Sequence, residues 1–286
     1  MHCSTGAASA TFVLIFAVLA WLFVCCSRTP EGSSDAAVYN FTNRVSVIGD
    51  SISEGINPVY SKYSPTYGWV HMINGKSYST NTAPYPNIHS IWPETWVVLS
   101  NFALSGSTAS LWNNIHFLQP VIDFDPDIVI VFIGGNDVLY YIKDGVIDDS
   151  EQAELSNNFC GILDILTNNL TNTKIVLVDY YDLADGYSMT LTNPYYSSYS
   201  YYSNLSAYVA LANSSISNIA LERGCYFVDI YKRFMHHCYG KYLGDTGSLT
   251  PIYVYEPIED FDIHPVTSGH RKICDEVLVT LKNITN

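Results

Sequence analysis

Residues 127–133, DIVIVFI, are apolar at every position after the first, so both alternating faces of the segment must be covered. That requirement points to a central strand of a parallel sheet with helices above and below it. Four more short β-branched or apolar runs recur along the chain: VSVI (45–48), WVVLSNFAL (96–104), KIVLVDYY (174–181) and CYFVDI (225–230). Between and after them, residues 150–170, 205–224 and 268–284 repeat apolar side chains at helical spacing. The alternation predicts an α/β fold, a three-layer α/β/α sandwich around a central parallel sheet. At 286 residues one such core is enough, and neither an internal repeat nor a second domain with its own composition is evident.

Charge narrows the partners. Only 14% of residues are charged and the formal net charge is −14, with no Lys/Arg cluster to offset it. Such a chain repels phosphate backbones and anionic membrane surfaces, so nucleic acid is not an expected partner. Residues 1–27 contain no Asp, Glu, Lys or Arg and include the apolar run TFVLIFAVLAWLFVCC. This segment reads as a signal peptide cut near Cys26 or Ser27, or as a retained signal anchor, in which case Cys25 and Cys26 are candidates for acylation. Residues 28–43 then form a linker and 44–286 the folded domain. The protein is expected to be secreted or held at a cell surface or endomembrane, touching membrane only through the N-terminal segment if that is uncleaved.

Five Asn-x-Ser/Thr sequons (Asn40, Asn169, Asn204, Asn213 and Asn283) follow the leader and fit a glycoprotein. Four cysteines remain beyond it, Cys160, Cys225, Cys238 and Cys274; an even number in an oxidising compartment leads us to expect two disulfides, with buried free thiols as the alternative. Residues 236–238, HHC, resemble metal-ligand chemistry, but adjacent side chains rarely converge on one ion and no second ligand pair is evident. The Tyr/Ser-rich stretch 185–208 has neither strand nor helix periodicity and reads as an insertion. Together with the irregular, aromatic-rich region 60–95, it is expected either to wall a pocket or to pack on itself.

Ligands of open parallel sheets bind at the carboxyl ends of the strands. Three expected strands end in sequences suited to such a site: VSVI enters Gly49-Asp50-Ser51, VVLSNFAL enters Ser105-Gly106-Ser107, and IVIVFI enters Gly134-Gly135-Asn136-Asp137. Glycine allows the reversal, and the polar residue beside it is left facing the crevice. A serine hydroxyl attacks only when a base removes its proton, and a carboxylate usually orients that base. Of the eight histidines, His264 has the most suitable surroundings, with Asp260 and Asp262 just before it and Pro265 behind it.

The ordered blocks GDSISEG (49–55), NFALSGSTAS (101–110), GGND (134–137) and DIHP (262–265) followed by GHRKI resemble the SGNH hydrolases, the GDSL-type esterases and lipases. The resemblance runs from about residue 44 to the C-terminus. It implies an SGNH, flavodoxin-like fold with Ser51 as nucleophile and His264 as base. The backbone N–H groups of Ser51 and Gly106 and the side-chain amide of Asn136 are then the donors to the developing oxyanion. Asp50 and Asp137 take structural roles. The family places its acid three residues before the histidine, where this chain has Phe261. Asp262 is the first choice, Asp260 the second, and a backbone carbonyl the third.

These residues lead us to expect a carboxylic ester hydrolase working through an acyl-enzyme, with no cofactor or metal and with an acylated glycan or lipid as substrate. A carbohydrate acetylesterase is the first reading, a lipase or lysophospholipase the second. A surface binding module that keeps the fold without turnover stands as the alternative from another class. A histidine base must be neutral, so activity should decline as pH falls through the ordinary histidine range, near ~6.5.

Overall fold

The computed structural model describes residues 41–56, 67–75, 86–141, 148–183, 205–238, 253–254 and 263–284, all within the compact unit Tyr39–Asn286. Five strands form one sheet: β1 (Phe41–Gly49), β2 (Thr95–Asn101), β3 (Ile128–Phe132), β4 (Lys174–Val178) and β5 (Tyr226–Val228). Their order is β2-β1-β3-β4-β5 and every pairing is parallel, with Val47 beside Ile130, Ile130 beside Val176 and Val176 beside Tyr226. All five residues of β3 are buried, as its unbroken apolar run requires.

Ten helices among the described residues cover the sheet: α1 (Ser51–Glu54), α2 (Trp69–Ile73), α3 (Ile88–Ile91), α4 (Ala109–Trp112), α5 (Ile115–Phe124), α6 (Gly135–Tyr141), α7 (Asp149–Asn169), α8 (Leu205–Glu222), α9 (Ile230–Phe234) and α10 (Thr267–Ile284). α10 packs on α2, α3 and α9, whereas α7 packs on α4, α5 and α8, giving two helical layers. The three-layer α/β/α architecture is the one expected from the sequence. In α10 the residues that turn inward, His270, Ile273, Cys274, Val277, Leu278 and Leu281, repeat every three or four positions. Its outer side carries Arg271–Asp275 and Lys272–Glu276 pairs one turn apart, each worth only a few tenths of a kcal/mol, so core packing holds the helix in place.

Several expectations change in detail. β1 begins at Phe41, three residues before the expected domain start, because Phe41–Asn43 pair with Thr95–Val97. β2 ends at Asn101, yet Phe102 and Leu104 still donate backbone hydrogen bonds to Val47 and Gly49. The described residues of region 60–95 include two short helices, and Trp69 and Trp92 belong to the buried core, so neither walls an open pocket. Residues 184–204, most of the Tyr/Ser-rich stretch, lie outside the described residues; Leu205–Tyr208 belong to α8.

The expected disulfides are not formed: none joins Cys160, Cys225, Cys238 and Cys274. Cys238 and Cys274 fill core positions as small apolar groups. Burial pushes the Cys274 thiol up to about 12, and the Cys238 thiol donates to the Phe234 carbonyl. Of the sequons, Asn169 and Asn283 are exposed, Asn213 is buried, and Asn40 and Asn204 lie outside the described residues, as does the leader.

Candidate active site

The chain reverses its direction of winding between β1 and β3: from β1 it crosses outward to β2, and from β3 it crosses the other way to β4. The loops leaving these two neighbours diverge and open a crevice at their carboxyl ends. Ser51 follows β1 there, and Gly134-Gly135-Asn136 follow β3.

Ser51 is the first residue of α1, so its own N–H has no acceptor within the helix. Asp50 caps that helix, one carboxylate oxygen accepting from Ile52 N at 3.0 Å and the other from the Tyr180 hydroxyl at 3.1 Å. Burial pushes the Asp50 carboxyl up to about 6, against the pull of these donors and of His264. Gly49 must lack a side chain, because a Cβ there would meet the Ser53 side chain at 2.5 Å and the Phe132 carbonyl at 2.8 Å.

His264 comes from the far end of the chain. Its Nε2 lies 2.8 Å from Ser51 Oγ, and Ser51 itself is only 7% exposed. For Nε2 to accept that hydroxyl proton, the imidazole must carry its own proton on Nδ1. The loop around His264 is tied on both sides. Ile263 O accepts from the Tyr181 hydroxyl at 2.6 Å, Pro265 bridges to Val254, and Val266 N donates to Tyr253 O at 2.8 Å. The candidate acids Asp262 and Asp260, and Phe261 between them, lie outside the described residues.

Two of the candidate oxyanion donors, Gly106 and Asn136, are linked through the second loop. Ser107 N donates to Leu104 O, closing a four-residue turn whose third residue, Gly106, has φ +75°, a backbone setting that suits glycine. Ser107 Oγ donates to Gly49 O at 2.9 Å and accepts from Trp112 Nε1, so this turn is fastened to the end of β1. Asn136 Nδ2 donates to Ser107 O at 2.8 Å; the amide has a second N–H, and Asn136 lines the crevice. Asp137 accepts from Ala109 N at 2.8 Å, which joins the third loop to the first turn of α4; burial pushes its carboxyl above the usual range.

Beside Ser51 the crevice encloses ≈ 460 Å³ counted out to its open mouth, and its walls are largely apolar: Ile52, Val138, Leu139, Leu205, Val209 and Ile263. The residues 236–238 do not converge on a common point: His237 stacks on Tyr253 at 4.4 Å and Cys238 turns to the Phe234 carbonyl. Among the described residues no group of three or more His, Cys, Asp or Glu side chains could hold a metal ion.

Sequence reasoning did not single out Tyr180, Tyr181, Ser107, Asn213 or His270 as individual contributors. His270 is fully buried, with Nε2 2.9 Å from Ile56 O and Nδ1 accepting from Trp69 N, so it ties the end of α1's loop to α2 and α10. Burial pushes it down to about 4 and keeps it neutral. The signal for the tyrosines was available: polar-tipped residues just beyond the apolar run Ile175–Val178, at the sheet end where ligands bind.

The sequence model of the GDSL-like lipase/acylhydrolase family matches residues 47–272. No curated protein sequence matches the chain. Among solved structures, the α/β hydrolase LAE5 from the metagenome of Lake Arreo, Spain, superposes with a TM-score of 0.55 at 18% identity, covering 87% of this chain and 99% of its own. The extracellular lipase of Streptomyces rimosus gives 0.55 at 17%, covering 83% and 99%, and an acetyl xylan esterase variant from Geobacillus stearothermophilus gives 0.53 at 18%, covering 84% and 94%. These likenesses speak for the fold, and the family match spans most of the chain. The protein therefore belongs to the GDSL-like lipase/acylhydrolase family and is a carboxylic ester hydrolase of the SGNH type.

Proposed function

We propose that the protein cleaves esters through an acyl-enzyme, with Ser51 as nucleophile and His264 as base. The 2.8 Å approach of His264 Nε2 to Ser51 Oγ carries this reading. As Oγ attacks the carbonyl carbon, Nε2 takes its proton and the carbonyl electron pair moves to oxygen. In this reading the oxyanion is received by the N–H groups of Ser51 and Gly106 and by the Asn136 amide; Ser51 and Asn136 line the crevice. Collapse returns the electron pair to the carbonyl and expels the alcohol, which takes the proton from His264. Water then repeats the sequence on the acyl-enzyme and regenerates Ser51. Asp262, Asp260 or a backbone carbonyl orients His264 through Nδ1.

The acyl group occupies the apolar crevice, and its walls favour chains longer than acetyl. Hydrolysis of acetyl to palmitoyl esters by wild type and Ser51→Ala tests this. We expect kcat/KM to rise with each methylene by up to about 0.8 kcal/mol, roughly fourfold, until the crevice is full, and the variant to be inactive. A maximum at the acetyl ester would instead favour acetylated glycans, the reading placed first on sequence alone; the acetyl xylan esterase among the structural neighbours supports it.

Export is part of the same reading, supported by the uncharged apolar leader at residues 1–27. Intact mass of protein recovered from the medium, beginning near Cys26 or Ser27, is the expected outcome.

A further inference from the structure

The two consecutive tyrosines that leave β4 reach opposite partners of the reaction. Tyr180 is buried, and its hydroxyl donates to Asp50 Oδ2, the carboxylate that caps α1 ahead of Ser51. Its ring packs on Phe132 at 5.0 Å and over Gly135, where a Cβ would come within 2.5 Å of the ring. The glycine before Asn136 is thus shaped around this tyrosine. The main chain of Tyr180 is fixed as well: its N–H donates to Asn213 Oδ1 at 3.0 Å and its carbonyl accepts from Asn213 Nδ2 at 2.7 Å. Burial and the Asp50 carboxylate push the phenol well above its ordinary value, which keeps it a proton donor.

Tyr181 turns to the other side. Its hydroxyl donates to the carbonyl of Ile263, the residue before His264, and its ring stacks on Phe234 at 4.7 Å. Phe234 in turn packs on Tyr253, whose carbonyl accepts from Val266 on the far side of His264. Tyr180 and Tyr181 also both line the crevice beside Ser51.

We propose that Tyr180 and Tyr181 are positioning residues of the ester hydrolysis: Tyr180 fixes the turn that carries Ser51, Tyr181 fixes the loop that carries His264, and their shared main chain sets the spacing between hydroxyl and imidazole. The proposal rests on the reading of Ser51 and His264 as nucleophile and base. It follows from geometry that hydroxyl and imidazole must meet within a few tenths of an ångström, since misplacing a reacting group by about 1 Å costs up to roughly a hundredfold in rate. A merely structural tie would act differently. It would lower the melting temperature and the fraction of molecules with a working site, and leave the rate at each working site alone.

Tyr180→Phe and Tyr181→Phe separate the two, because each removes one hydroxyl while keeping the ring that packs on Phe132 or Phe234. The full chain carrying either change, with Ser51→Ala as control, is titrated for active sites with a fluorophosphonate and assayed on an ester within the preferred length. We expect kcat per titrated site to fall roughly ten- to a hundredfold in each Phe variant, with KM within about twofold. Unchanged kcat per titrated site in both Phe variants, with Ser51→Ala inactive, overturns the positioning role alone. Turnover retained by Ser51→Ala overturns the nucleophile and this proposal together.

Discussion

Nε2 of His264 and Oγ of Ser51 lie 2.8 Å apart although 213 residues separate them in the chain. The sheet order explains the meeting. β1 delivers Ser51 to the centre of the carboxyl edge, and α10, packed beside α2, returns the tail of the chain to the same edge. His270, one turn into α10, holds the Ile56 carbonyl just beyond α1, so the helix that follows His264 is fastened to the segment that follows Ser51.

Asn136→Ala removes one oxyanion donor. We expect kcat to fall by roughly 10²–10³, about 3–4 kcal/mol of transition-state stabilisation, with KM little changed. Its bond to Ser107 O is lost as well, so urea denaturation should show a loss of about 1 kcal/mol, too little to account for the rate. Steady-state kinetics beside a denaturation curve check both parts.

His270 gives a pH dependence of stability. Its imidazole titrates near 6.5 when unfolded and is pushed down to about 4 by burial, with the nearby His264 acting in the same direction. The unfolded chain therefore binds the extra proton first, and stability present above pH 6.5 is lost as pH falls towards 4, on the order of 3 kcal/mol. Asp50, raised to about 6, and Asp179, raised to about 8, act oppositely, strengthening the fold as pH falls. His270→Gln keeps a donor and an acceptor but cannot titrate, and both carboxyls remain in it. Urea unfolding at several pH values should show wild type losing more stability than the variant between pH 6.5 and 4.

Asn213 lies in a sequon, yet its amide is buried and spent on the main chain of Tyr180. Glycopeptide mapping after expression in a glycosylating host should find Asn213 unmodified. Asn213→Ala should cost roughly 2–5 kcal/mol, because two buried backbone groups lose their partners; a denaturation curve measures it.

Leu139 lines the crevice from α6 and is only partly buried, so a larger side chain fits there without disturbing the core. Leu139→Trp should lower kcat/KM on octanoyl esters about tenfold and leave acetyl esters within about twofold, moving the preferred chain length down. Profiles of wild type and variant on the same ester series decide it.

What could be read from the sequence follows the range of the forces involved. β3 announces itself because burial on both faces leaves an unbroken apolar run, and α7, α8 and α10 because long helices repeat their buried residues over several turns. The short helices α2 to α4 do not, because little more than one turn holds too few repeats, and in the longer α5 Pro120 sits inside the helix. The glycine and polar residues after β1, β2 and β3 marked the site, since strand ends need reversal and the crevice needs donors. The partners of Tyr180 and Tyr181, 130 and 82 residues away, could not be read, because no local pattern encodes which distant loop a buried hydroxyl will meet.

The most direct test is to treat the purified protein with a fluorophosphonate and locate the adduct by peptide mass mapping. We expect one phosphonyl group per chain, carried by the peptide containing Ser51, with labelling lost in Ser51→Ala and slowed at least a hundredfold in His264→Ala. An adduct on another residue, or unchanged labelling in either variant, would contradict it.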